Sequence, residues 1–427
     1  MNRFLRTSTP AAITALLVIF FGLLYGLGYT KQYMILLTYW GAYPFQSPFV
    51  DTHAVLSAIE CYRRGIDVYV ENPCDVLGRS HVYSPLWLAA SILPVTTAWT
   101  TAAGLACVAL FLLSLTLLPP GRGWRQTGVI TLGTISSVTA FAIERANIDI
   151  IIFALAVLAV RLVQRSQPLR LLGYSVALLA GMLKFYPATL MILALRERLA
   201  VFVAVSLVSA CAVAGFVALY ARDLPRVLVE VPSWGYFNLL SFGARDLPYG
   251  IAQIAGWPNS VALGLLIVLT IASVGYAAVL ARRGSLVSRL EALSAAESSF
   301  LLIGCVLFIG CFFTAQNLLY RGIHLLFVLP GLTAIARRPD EGYNRPLVAG
   351  CILVLLLMWG RTIETAIDPA LQDFEVRAQF VDMVWIWVLK EIAWWGLATM
   401  LVALLIALLR RSQLAQDLST RLTIRRP

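Results

Sequence analysis

The stretch Ala200-Val-Phe-Val-Ala-Val-Ser-Leu-Val-Ser-Ala-Cys-Ala-Val-Ala-Gly-Phe-Val-Ala-Leu-Tyr220 contains no Asp, Glu, Lys or Arg. Its length matches the roughly 20 apolar residues that a helix needs to cross a bilayer. A strand of a membrane barrel would alternate apolar and polar positions instead. Comparable runs cover 11–29, 84–98, 101–118, 127–143, 148–163, 171–195, 261–281, 298–316, 322–336, 346–359 and 384–409. The fold class read from this pattern is all-α, a polytopic helical bundle in lipid with about 10–12 membrane helices.

Composition agrees. Hydrophobic residues are 60% of the 427 and charged residues only 13%, against about 25% charge in a soluble domain. Mean hydropathy is +0.82. Too little polar surface remains to cover a water-soluble globule. The net charge of +11 does not indicate nucleic acid, because the positive residues sit in short loops and at the two ends, where membrane topology places them. No repeat, low-complexity tract or soluble domain interrupts the pattern, and 1–427 reads as a single membrane-embedded domain.

Arg3 and Arg6 precede the first run and place the N-terminus inside, as an uncleaved first helix. The aromatic-rich stretch 30–82 is then the first outer loop and 221–258 the second. The basic tail 410–427, with Arg410, Arg411, Arg421, Arg425 and Arg426, is cytoplasmic; it suits anionic lipid headgroups or plain solvation equally. The remaining arginine pairs satisfy the same rule only if two runs do not span simply. Run 84–98 is short and carries Pro85 and Pro94, which suits a re-entrant segment. Run 171–195 is interrupted by Lys184 and Pro187, which suits two half-helices. The protein is thus expected in a cytoplasmic membrane with its site on the extracytoplasmic side.

Cys107, Cys211, Cys305, Cys311 and Cys351 lie in apolar runs and read as packing residues. Cys61 and Cys74 share the first outer loop and are either unpaired thiols or a disulfide. No metal-ligand spacing and no Asp-x-Asp pair is present in the outer loops, so neither a metal nor a cofactor is expected.

Ionisable residues within apolar sequence are costly and need a reason. Three places stand out: Asp51, closing Phe45-Gln-Ser-Pro-Phe-Val-Asp51; Glu144-Arg145-Ala-Asn147 with Asp149; and Lys184-Phe-Tyr-Pro187. Gathered on one face, they would make a pocket of both charge signs. A carboxylate can take the proton of an attacking hydroxyl. A lysine or arginine can hold a phosphate oxygen. Tyr83, Trp87 and Tyr186 can stack on sugar. Together these suit transfer of a sugar from a lipid phosphate.

The series Asp51-Thr-His-Ala, Gly65-Ile-Asp-Val-Tyr69 and Val82-Tyr83-Ser-Pro85-Leu86 resembles the first outer loop of glycosyltransferase family 87. That family comprises GT-C-type membrane enzymes using polyprenyl-phosphate sugars, often mannose. Arg145-Ala-Asn147 stands where Gly-Gln-x-Asn is common, and Leu183-Lys184-Phe-Tyr-Pro187 with Arg196 and Arg198 is similar to the family's Lys-x-x-Pro helix. The likeness covers roughly 51–198; beyond that only hydropathy matches. Ser84 replaces the first Pro of the usual pair, and Glu144-Arg145 replaces Gly-Gln, which bears on donor and acceptor choice.

The resemblance implies a GT-C-like fold and an inverting hexosyltransferase with a lipid or glycan acceptor. It makes Asp51 the general base, Lys184 the donor-phosphate ligand with Arg145 as second candidate, and Asn147 a sugar-binding or ordering residue.

Each residue also has a plainer reading. Asp51 can cap a helix lying on the membrane surface, Lys184 can snorkel to headgroups, and Glu144 can pair with Arg145 as a structural bridge. His53 reads as a solvated loop histidine, with assistance to Asp51 or acceptor binding as the alternative. His81 can contact phosphate or sugar, and His324 reads as a buried polar contact. Arg321 with Gln316 and Asn317 suits either substrate binding or a helix-end cluster. Trp385, Trp387, Trp394 and Trp395 read as interface anchors or packing. The rival class is a transporter or flippase of a lipid-linked sugar, which would show discontinuous helices in matching positions. Only one interrupted segment is evident, with no later counterpart.

Overall fold

The computed structural model describes residues 2–230, 235–338, 342–367 and 381–417. Most of the basic tail expected at 410–427 lies outside them. Among these residues regular structure is helical apart from two pairs of two-residue strands, 241–242 with 317–318 and 337–338 with 342–343.

Among the described residues seven helices are long and apolar enough to cross a membrane: Leu5–Gly26, Thr97–Leu115, Leu199–Leu219, Asn259–Leu280, Ala295–Thr314, Leu319–Ala336 and Val384–Leu409. Two bent pairs, Trp124–Thr134 with Ser137–Arg145 (45°) and Arg345–Met358 with Gly360–Ile367 (66°), raise the number to nine. This falls short of the expected count for three reasons. Run 84–98 forms only a 3-10 helix, Pro85–Ile92, capped by the Ser84 hydroxyl, which accepts from Leu86 N. The helix Ile148–Val163 has 16 residues, about 24 Å at 1.5 Å per residue, against a hydrocarbon core of about 30 Å. Run 171–195 breaks at Phe185 into the α-helix Gln167–Lys184 and the 3-10 helix Tyr186–Arg196. Pro187 explains the break, since its ring excludes an α-helical neighbour and it donates no hydrogen bond. The returning chain then passes so close that a Cβ on Gly181 would meet the Ala188 Cα at 2.8 Å.

The chain divides into two compact units, one of 1–44, 115–141 and 234–412, the other of 45–114, 142–233 and 413–427. In the first, the bends carry their own compensation. At the first bend, Thr139 Oγ1 donates to Gly133 O at 3.1 Å and Thr139 N donates to Ser136 Oγ at 3.4 Å. Ser137 Oγ donates to Met358 O at 2.8 Å and Trp359 Nε1 donates to Leu132 O at 2.9 Å, tying the two bends together. Broken helices need such substitutes where water is absent. Only one interrupted run is evident in the sequence; the 66° break near Trp359 is a later one. It falls where an apolar run ends and Gly360, Arg361 and Glu364 begin, so hydropathy reads it as the end of a helix and not as a bend.

In the second unit, Leu199–Leu219 has none of its apolar window buried, as suits a helix facing lipid. Cys211 on it is exposed rather than packed, whereas Cys305, Cys311 and Cys351 are buried. The stretch expected as a first outer loop contains two helices, Thr30–Tyr39 and Val50–Arg63. Cys61 and Cys74 are joined by a disulfide.

Candidate active site

Three helix ends of the second unit meet at one place. Val50–Arg63 starts there with Asp51 in its first turn, Ile148–Val163 starts there with Asn147 as cap and Asp149 in its first turn, and Gln167–Lys184 ends there on Lys184. Carboxylates at N-termini and a cation at a C-terminus complement the helix dipoles.

Asn147 sits at the centre. Its Oδ1 caps its own helix by accepting from Asp149 N at 3.0 Å, and also accepts from Lys184 Nζ at 2.9 Å. Its Nδ2 donates to Asp51 Oδ2 at 2.6 Å. This amide orientation is the one the network permits, because an ammonium can only donate and a carboxylate only accept. Asp149, fully buried, accepts from Tyr186 OH at 2.6 Å and pairs with Lys184 Nζ at 2.8 Å.

The other oxygen of Asp51 faces two guanidinium groups. Arg79 Nη1 stands at 3.1 Å and Arg145 Nη1 at 3.5 Å from Oδ1. Arg79 also donates to Val50 O at 2.7 Å and forks onto Asp75 at 2.9 and 3.1 Å. Burial opposes its charge, but the Asp75 hydrogen bonds and the Asp51 charge outweigh that and hold it above the ordinary arginine value. Arg145 lies over the Phe45 ring at 4.4 Å. Asp51 does not cap its helix: the capping position is Phe49, and no side-chain cap bond is present.

The backbone around these groups is strained. Among the described residues, the non-glycine residues with positive φ are Phe49 (68°), Ala146 (41°) and Phe185 (62°). Each lies within two positions of Asp51, Asn147 or Lys184. Such conformations cost about 1–3 kcal/mol each and cluster at functional sites. Local bonds hold them: Phe49 N donates to Glu144 O at 2.7 Å, and Thr52 Oγ1 donates to Ala146 O at 2.7 Å.

The structure thus brings Asp51, Arg145, Asn147, Lys184 and Tyr186 together. Tyr83 joins them through its ring, 5.6 Å from Lys184 Nζ. Glu144 is buried; its Oε1 accepts from Phe45 N at 3.1 Å and its Oε2 stands 3.7 Å from Arg145 Nε, the bridge of the plainer reading. His53 is not a solvated loop residue. It lies on the Asp51 helix, with Nδ1 3.0 Å from Thr100 Oγ1 and Nε2 accepting from Val76 N at 3.4 Å and 4.0 Å from Asp75. His81 is buried between Tyr69 and Tyr83, and burial lowers its pKa to about 4. It is therefore neutral at pH 7 and offers phosphate no charge. Trp87 is anchored through Nε1 to Leu183 O at 3.2 Å. Arg321 belongs to the first unit, where it donates to Asn317 Oδ1 at the end of a helix.

Sequence reading missed Arg79 and Asp75 as site residues and left Asp149 unassigned. The available signal was the i,i+4 pair Asp75-x-x-x-Arg79 directly after Cys74: the disulfide fastens this stretch to the Asp51 helix. Among the described residues no group of three or more His, Cys, Asp or Glu is placed to hold a metal ion.

No family model, curated protein or solved structure matches the chain.

Proposed function

We propose that this chain is a membrane glycosyltransferase of GT-C type, moving a hexose, mannose foremost, from a polyprenyl-phosphate donor to a lipid or glycan acceptor. The observation that carries the reading is the buried relay Lys184–Asn147–Asp51 with two guanidinium groups on the same carboxylate. Asp51 is the base: it takes the acceptor hydroxyl proton while that oxygen attacks the anomeric carbon and the carbon–oxygen bond to phosphate breaks. Polyprenyl phosphate leaves as its anion and needs no acid. Attack opposite the leaving group inverts the anomeric centre.

The cations divide the work by exposure. The Arg79 side chain is 31% exposed, Arg145 12% and Lys184 7%. An arriving phosphate meets Arg79 and Arg145 first, and planar guanidinium groups suit it. Lys184, paired with Asp149, orients Asn147 and through it Asp51. Phosphate on the two arginines competes with Asp51 Oδ1 for them and frees that oxygen for the acceptor hydroxyl, so donor binds before acceptor. The Cys61–Cys74 bond in the same loop supports an extracytoplasmic site, because disulfides persist in oxidising compartments.

A lipid-linked-sugar transporter or flippase is the second reading. The tied bends at 134–137 and 358–360 favour it, since broken helices recur at transporter substrate sites.

Purified protein in lipid nanodiscs, given a panel of polyprenyl-phosphate sugars and membrane-extract acceptors, tests the enzyme reading by mass spectrometry of released polyprenyl phosphate. Release by wild type that is lost in folded Asp51→Asn supports it. Sugar crossing vesicle membranes with the phosphate bond intact would replace it with the transporter.

A further inference from the structure

The first unit holds a second buried charged cluster that the proposed transfer does not use. Glu391, on the helix Val381–Leu409, is fully buried, and neither carboxylate oxygen accepts a hydrogen bond from any described residue. A buried carboxylate in that condition is expensive. The charges acting on it make matters worse: among the described residues Asp246 and Glu364 are of like sign, and Lys390 opposes them.

Lys390 is already shared. Its Nζ donates to Leu239 O at 2.6 Å and stands 3.7 Å from Glu364 Oε1. Glu364 is bonded in turn by Arg361 at 2.8 Å. Asp246, also fully buried, has ordinary partners: Ser241 Oγ donates to it at 3.0 Å and Gln316 Nε2 at 3.2 Å. Among the described residues, Asp246, Glu364 and Glu391 stand against Arg361 and Lys390, one negative charge in excess.

We propose that Glu391 and Asp246 form a binding site for one exchangeable proton, held mainly on Glu391 and reached from the surface by way of Gln316 and Asp246. The chemistry requires a single positive charge. Protonation removes the like-charge conflict and turns one oxygen of Glu391 into a donor. A metal ion is a poorer occupant, because no described group of three or more acids, histidines or cysteines is placed to hold one. Gln316 is half-buried and also donates to Gly235 O at 2.7 Å, so it lies between Asp246 and the surface. Burial raises the Asp246 pKa to about 7, which lets it relay the proton in the neutral range. Ionisable side chains within membrane segments characteristically mark proton or ion pathways.

Infrared spectroscopy of the full-length protein in lipid tests this across roughly pH 5 to 9. Wild type should show the C=O stretch of a protonated, buried carboxyl at neutral pH, shifted in deuterium oxide and titrating away as pH rises. Glu391→Gln, which mimics the protonated form, should fold and lose that band; Asp246→Asn should shift its titration. Glu144→Gln removes a buried carboxyl of the other unit, so a band that survives in it belongs to this cluster even if a Glu391 variant misfolds. Absence of the band at every pH overturns the proposal, as does a band unchanged in folded Glu391→Gln. A band that sodium or potassium abolishes at fixed pH also overturns it, since a metal cation would then be the occupant.

Discussion

Asn147 joins Asp51 to Lys184 through opposite ends of one amide, donating to the carboxylate at 2.6 Å and accepting from the ammonium at 2.9 Å. The same oxygen caps the helix that carries Asp149. One residue thus sets a helix start, the orientation of a carboxylate and the place of a buried cation.

Asn147→Asp separates these tasks. Aspartate caps as well as asparagine and still accepts from Lys184, but it cannot donate to Asp51 and brings a like charge against it. The helix should survive while turnover falls about 10–100-fold, the worth of a charge-assisted hydrogen bond of about 1.5–3 kcal/mol. Full turnover in a folded variant would show that Asn147 does not act through Asp51.

Arg79→Gln should raise the donor KM more than it lowers kcat, with kcat/KM down by about 10–100-fold. Arg145→Gln should act alike. Initial-rate kinetics with donor and acceptor varied independently would check both this and donor-first order. An effect confined to acceptor KM would move the phosphate elsewhere.

Lys184→Met strands the buried Asp149 charge and should cost about 3–5 kcal/mol. Adding Asp149→Asn removes that charge and should recover most of the stability, measured as denaturation midpoint in lipid. Activity should stay low in both, because Asn147 has lost its donor. Recovered activity in the double variant would reduce the lysine to a structural role.

His81 is held neutral in the folded protein, with its pKa lowered to about 4. The unfolded chain binds that proton near pH 6.5. Between these values the unfolded state therefore holds more protons, and stability drops as pH falls. The contribution is complete above about pH 6.5 and lost towards about pH 4, at most roughly 3 kcal/mol. His81→Phe should flatten that part of the pH–stability curve; an unchanged slope would assign acid sensitivity to other groups.

Cys61→Ser with Cys74→Ser should cost about 3 kcal/mol and reproduce part of the Arg79→Gln effect on donor KM, because the bond fastens the stretch carrying Asp75 and Arg79. Stability lost with donor KM unchanged would show that Arg79 is positioned without it.

Fold class was legible because hydropathy is a local property: an uncharged run such as 200–220 declares its environment wherever the chain goes. Asp51, Arg145, Asn147 and Lys184 were legible for the same reason, as polar residues costly in their surroundings. Length and breaks were less so. The helix Ile148–Val163 has only 16 residues, and the bend near Trp359 coincides with the end of an apolar run, where Arg361 and Glu364 read as a loop.

The sequence alone therefore determined that this is a helical membrane protein and which polar residues demand a purpose. Tertiary structure decided their partners. That Lys184 faces Asp149, that Arg79 reaches Asp51 across 28 residues, and that Glu391 feels the charges of Asp246 and Glu364 depend on where distant parts of the chain converge. Charge pairing acts over a few ångströms of space, and separation along the chain carries no record of it.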